Sequence, residues 1–141
     1  MNISFEFFPA RTEHGEKALN EVQKKLSAIK PEFFSVTFGA LGSSQDATFE
    51  TIIDLQKNTS VPIAPHLTCV GIKKIQAIAL LDKYIELGVN RVMVLKGDAP
   101  KVRFPYKNSR DKGDFRFANE MVEFIKDQYE GYFHIQVGAF P

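Results

Sequence analysis

The 141 residues suit a single domain at roughly 150 residues per domain, and 18 basic against 17 acidic side chains leave a formal charge of only +1. That balance argues against a dedicated nucleic-acid binder, which carries a strongly basic face, and 44% hydrophobic residues exclude a disordered chain. No apolar run approaches the roughly 18 residues of a membrane span, Met1 to Glu6 lacks a secretory signal's basic start, and the lone Cys69 with three histidines argues against a disulfide or a metal site.

In chain order, Ile3 to Phe8 predicts a first strand. Glu16 to Ile29 then predicts a helix with Ala18, Leu19, Val22, Leu26 and Ile29 on one face, stopped by Pro31. Phe33 to Phe38 is the second strand. A helix over Asp46 to Asn58 follows, burying Phe49, Ile52, Ile53 and Leu55, with Ser43, Ser44 or Asp46 available to cap it. Ile63 to Thr68 is the third strand. Ile72 to Leu87 predicts a helix carrying Ile75, Ile78, Ala79, Leu81 and Ile85, interrupted by Asp82 and ended by Gly88. Arg91 to Leu95 is the fourth strand. Phe117 to Tyr129 is the last helix, with Met121, Val122, Phe124 and Ile125, and Tyr132 to Ala139 the fifth strand. The alternation calls for parallel strands joined by helical crossovers.

The connection from Lys96 to Arg116 is longer than the norm. It holds Lys96, Lys101, Arg103, Lys107, Arg110, Lys112 and Arg116 against Asp98, Asp111 and Asp114. It reads either as a solvated loop or as a clamp for an anionic group such as a pyrophosphate.

Strands of a parallel sheet are covered on both faces and should be almost wholly apolar. Here one face collects polar groups: Ser4 and Glu6 in the first strand, Ser35 and Thr37 in the second, His66 and Thr68 in the third, His134 and Gln136 in the fifth. A (β/α) barrel accounts for this, because alternate residues point into its lumen. Glu6, Thr37, His66, Thr68, Asp98 and Gly138 also cluster towards the C-terminal ends of strands, where parallel α/β folds place their ligands.

Taken singly, each has a structural alternative. Glu6 among Phe5, Phe7 and Phe8 reads as a general acid, since a carboxyl ringed by aromatics keeps its proton, or as a structural hydrogen-bonding group. His66 can be a core histidine, Asp98 a turn former after Gly97, and Thr37 an ordinary strand residue. Nothing places a base beside Cys69, so it is not read as a nucleophile. Neither a Gly-x-Gly-x-x-Gly fingerprint nor a P-loop occurs, and Gly39-Ala40-Leu41-Gly42 reads as a turn.

Together, Ser4-Phe5-Glu6-Phe7-Phe8-Pro9, Ser35-Val36-Thr37-Phe38-Gly39-Ala40, Pro65-His66-Leu67-Thr68-Cys69 and Leu95-Lys96-Gly97-Asp98 resemble the methylenetetrahydrofolate reductase family, and Val137-Gly138-Ala139-Phe140-Pro141 resembles the family's next segment. The resemblance implies a flavin-dependent (β/α)8 barrel that reduces 5,10-methylenetetrahydrofolate to 5-methyltetrahydrofolate, with FAD reduced by NADH or NADPH, in one-carbon and methionine metabolism. It implies catalytic and substrate-binding roles for Glu6, the general acid, and Asp98, placed near the flavin and the folate. It implies FAD contacts for Thr37, Phe38, Ala40, His66, Lys96, Gly97, Asp98, Ala118, Gly138 and Phe140. A cytoplasmic homo-oligomer acting on a small molecule is implied as well, with no nucleic acid, membrane or metal. The chain departs from the family pattern at Ala10 (often proline), Lys96 (arginine), and Phe117 and Phe140 (tyrosine).

A (β/α)8 barrel needs about 250 residues, so residues 1–141 are expected to form one incomplete catalytic-barrel domain with about five strands and four helices. The alternative is a free-standing flavodoxin-like open sheet, a flavin-binding or regulatory module without folate chemistry. Strand order separates the two.

Overall fold

The computed structural model describes residues 2–38, 45–97 and 113–138. Five strands alternate with four helices: β1 (Ser4–Phe7), α1 (Glu13–Ser27), β2 (Phe33–Val36), α2 (Gln45–Asn58), β3 (Ile63–Thr68), α3 (Lys74–Glu86), β4 (Arg91–Leu95), α4 (Ala118–Tyr129) and β5 (His134–Val137). All four pairings are parallel. The strand order is β1-β2-β3-β4-β5. A flavodoxin-like sheet would place β1 inside the order rather than at its edge, so that alternative is excluded. Sequential parallel strands with helical crossovers match the N-terminal part of a TIM-type barrel. Among the described residues no helix is long and apolar enough to cross a membrane.

Strand parity divides the sheet into two faces. Phe34, Val36, Leu67, Val92 and Val94 are fully buried on one of them, in a single cluster with Phe49, Ile52 and Leu55 of α2, Ala77, Leu81 and Tyr84 of α3, and Met121 and Ile125 of α4. The opposite face carries Glu6, Ser35, Ala64, His66, Met93 and Gln136, none of which belongs to that cluster. Register aligns Glu6 with Ser35, Ser35 with Ala64, His66 with Met93, and Met93 with Gln136. Helices are also tied to one another. Gln23 Nε2 donates to the Leu55 carbonyl at 3.0 Å, and the Tyr129 hydroxyl donates to Asp82 Oδ1 at 2.9 Å.

The lower end of the polar face is closed by an ionic network. Arg91 donates to Glu32 Oε1 at 3.2 Å and lies 5.1 Å from the Phe33 ring centroid. Gln136, with its amide oxygen turned towards Arg91, accepts from it at 2.8 Å and donates to the Val92 carbonyl at 3.1 Å.

Several element boundaries and faces differ from the expectation. Helix α1 begins at Glu13, because Thr12 Oγ1 caps it by accepting from Gly15 N at 3.1 Å. Its inward residues are Leu19, Gln23 and Leu26, while Ala18, Val22 and Ile29 face solvent. In α2 Ile53 is exposed rather than buried, and in α3 the covered stripe is Ala77, Leu80, Leu81 and Tyr84, with Ile75 70% exposed. Strands β1 and β5 are shorter than expected at both ends and β2 at its C-terminal end, so Thr37 and Gly138 lie just past their strands. The left-handed Gly88, at φ +71°, ends the α3 turn as expected. Ser43 and Ser44 lie outside the described residues.

Candidate active site

The polar face converges at the C-terminal ends of the strands. His66 on β3 is buried, and its Nε2 lies 3.9 Å from Glu6 Oε2 on β1, reaching over the intervening strand β2. That separation is too long for a hydrogen bond, and Nε2 has no partner. Burial lowers the His66 pKa below the ordinary histidine value, and the neighbouring Glu6 carboxylate partly opposes this. The ring is therefore neutral near pH 7, with one nitrogen a donor and the other an acceptor.

Thr37 is the second unmet group. Its backbone is fully engaged, N donating to the Phe7 carbonyl at 3.0 Å and its carbonyl accepting from Thr48 Oγ1 at 3.3 Å. The buried side-chain Oγ1 has no partner. An unpaired buried hydroxyl or imidazole nitrogen costs about 1–3 kcal/mol. Gln23, Tyr84 and Arg91 also carry unpartnered buried atoms, but Thr37, just past β2, and His66, on the adjacent β3, stand together at the upper end of the polar face.

Glu6 is not enclosed as its sequence neighbours suggest. Phe5 and Phe7 turn to the helix-covered side, where they lie 6.4 and 5.0 Å from the Phe34 ring. The Glu6 side chain is 46% exposed. It borders solvent at the rim with only His66 near its carboxylate among the described ion pairs.

After β4 the backbone turns sharply. Gly97 has φ +78°, and a Cβ there would stand 2.8 Å from Thr68 Cβ, so the β3 and β4 ends approach closely only because position 97 has no side chain. Beside it, Cys69 is buried with its thiol donating to the Lys96 carbonyl at 3.3 Å. Burial pushes that thiol's pKa up, which suits a packed group and not a nucleophile. Lys96 is exposed, and Ala118 is the first residue of α4.

Of the sequence-derived candidates, Glu6, Thr37 and His66 are thus gathered on one face, with Phe38, Lys96, Gly97, Ala118 and Gly138 at the strand and helix ends. Ala40, Asp98 and Phe140 lie outside the described residues, as does most of the basic connection. Two further groups emerge that residue-by-residue reading passes over. Phe117, noted only as a family departure, stands 49% exposed at the entrance to α4. Asp114 Oδ2 accepts from Lys74 N at 2.8 Å and so ties the incoming connection to the start of α3.

The family model described as methylenetetrahydrofolate reductase matches residues 1–141. The chain is 36% identical over 141 residues to a 5,10-methylenetetrahydrofolate reductase of Pectobacterium carotovorum subsp. carotovorum, covering 100% of this chain and 44% of that protein. The corresponding protein of Escherichia coli (strain K12) is 33% identical over 141 residues, with 100% and 44% covered. Methylenetetrahydrofolate reductase (NADH) 1 of Arabidopsis thaliana is 33% identical over 139 residues, with 99% of this chain and 23% of that protein covered. The chain therefore spans less than half the length of each of these relatives.

Proposed function

Because the chain belongs to the methylenetetrahydrofolate reductase family, we propose that it supplies the β1 to β5 side of a catalytic barrel reducing 5,10-methylenetetrahydrofolate to 5-methyltetrahydrofolate. The observation carrying this reading is the pair of buried, unpartnered atoms on the polar face, Thr37 Oγ1 and His66 Nε2, the latter 3.9 Å from Glu6 Oε2. A planar ring system with donors and acceptors on its edge fits that pair, as the flavin of FAD does. When bound, FAD relays a hydride from a reduced nicotinamide to the folate. The Arabidopsis relative is named for NADH, which makes NADH the donor to test before NADPH.

The chain's own residues divide the work. Neutral His66 and the Thr37 hydroxyl orient the ring system through hydrogen bonds they lack without it. Phe38 offers an apolar wall, and Gly97 brings bare backbone close. Lys96 meets phosphate, and Ala118, Gly138, Ala40 and Phe140 complete the lining. Glu6, reachable from solvent, gives a proton to the folate nitrogen as its bond to the methylene carbon breaks, which leaves an iminium cation. Asp98 favours that cation through its charge. The reading includes a homo-oligomeric enzyme of the cytoplasm acting in one-carbon and methionine metabolism.

Glu6→Gln in the active enzyme removes the proton and keeps the shape. We expect folate reduction to fall by about 10²–10⁴-fold, the usual scale of general acid catalysis, while NADH still reduces bound flavin at nearly the original rate. Stopped-flow measurement of the two half-reactions separates them. Equal losses in both, with FAD retained, would defeat the assignment of Glu6.

A further inference from the structure

Two cations converge on one exposed ring at the upper rim. Lys96 Nζ lies 5.5 Å from the centroid of Phe117, and Arg116 Cζ lies 5.7 Å from the same centroid. Lys96 comes from the end of β4, and Arg116 and Phe117 from the entrance to α4, so the cluster joins two elements. Among the described residues neither cation forms an ion pair. The carboxylate in this turn is committed elsewhere: Glu120 Oε2 accepts from Arg116 N at 2.6 Å and from Phe117 N at 3.4 Å.

That division of partners decides what the cluster can bind. Glu120 takes the amides of Arg116 and Phe117, which precede the first turn of α4, and among the described residues it forms no ion pair with either side-chain cation. What stays unmet is side-chain charge. A cation on an exposed aromatic face gains only about 0.5–1 kcal/mol, and two like charges held near one ring repel, while among the described residues neither cation has its charge met by a carboxylate. The two cations differ in chemistry. An ammonium meets phosphate as a point charge, whereas a guanidinium presents a planar fork that grips two phosphate oxygens at once.

We propose that Arg116 is a binding residue for the diphosphate of the flavin nucleotide, supplying the bidentate contact that Lys96 cannot make, with Phe117 holding both cations in place. This rests on the flavin reading above but concerns the other end of the ligand. The phosphate-bearing half and the ring-bearing half can therefore be tested separately.

The 141-residue chain, unaltered and as Arg116→Ala and Arg116→Lys, would be titrated with FAD, riboflavin and ADP at low salt. Flavin fluorescence and amide NMR shifts report binding. We expect Arg116→Ala to weaken FAD and ADP about tenfold, the scale of one charge-assisted contact, and to leave riboflavin unchanged. Arg116→Lys should recover only part of the loss, because it restores charge without the fork. Affinities for FAD and ADP within twofold of the unaltered chain would overturn the proposal, as would an equal loss for riboflavin, which marks a merely structural role. If riboflavin binds and FAD binds no more tightly, the diphosphate site fails while the flavin reading stands. If none of the three binds at millimolar concentration, both fail.

Discussion

His66 shows how one side chain links the site to the stability of the fold. Its folded-state pKa is lowered from the ordinary 6.5, mainly by burial. Just below that value the unfolded chain therefore binds a proton that the folded chain refuses, and stability rises with pH through this window. As pH falls from 6.5 towards the folded value, stability is lost. His66→Gln should flatten the dependence between pH 5 and pH 7, read as the urea midpoint at each pH. A midpoint that falls with acid equally in both proteins would place the sensitivity elsewhere. At this scale the shared face of Glu6, Thr37 and His66 is legible in the sequence, because polar groups stand where a parallel strand should be apolar. The surroundings of Glu6 were not legible, because adjacency to Phe5 and Phe7 in the chain becomes opposition across the sheet. The sharing of Phe117 by Lys96 and Arg116 was hidden for a related reason. Twenty positions separate the two cations in the sequence, and only the packing of β4 against α4 brings them together.

Among the elements, α3 shows what a connection can contribute to a helix it does not adjoin in sequence. Its first-turn amide at Lys74 is satisfied by Asp114, and Asp114 N donates back to the Ile72 carbonyl at 2.9 Å. Gly113 makes the contact possible, since a Cβ there would collide with the Ile72 carbonyl oxygen. Replacing Asp114 with Ala should destabilise the protein by about 1 kcal/mol, the usual value of a lost side-chain cap. Hydrogen exchange of the first-turn amides of α3 should accelerate more than that of α2. Uniform acceleration, or none, would show that the tie does not hold α3. Helix existence was readable from apolar spacing, but helix faces were read less well. Ile75 and Val22 fit the 3.6-residue period yet face solvent, whereas Gln23 is buried because its amide reaches the Leu55 carbonyl. A hydrophobicity pattern cannot register a polar residue whose partner lies on another helix.

For the molecule as a whole, the parallel sheet with helical crossovers is the most legible property, because the alternation of strand and helix leaves few ways to connect them. The sequential order that separates a barrel from a flavodoxin-like sheet is visible only in the structure. Among the described residues β1 and β5 are the outer strands, and Val137 on β5 is 57% exposed. Apolar outer strands invite pairing with another chain. Val137→Lys should therefore shift the isolated chain towards smaller species in sedimentation velocity without lowering its urea midpoint. Self-association unchanged by the lysine would clear β5 of that role. The order of the strands also bears on how the chain folds. Every pairing joins neighbours in the sequence, so each loop to be closed spans one helix and its flanking turns, which keeps the entropic cost of each closure small. Phe34 meets Phe5 and Phe7 as soon as β2 has formed. A chain emerging from the ribosome can therefore add strands one at a time to a growing sheet, and each newly docked strand shields the edge that would otherwise stick to another nascent chain.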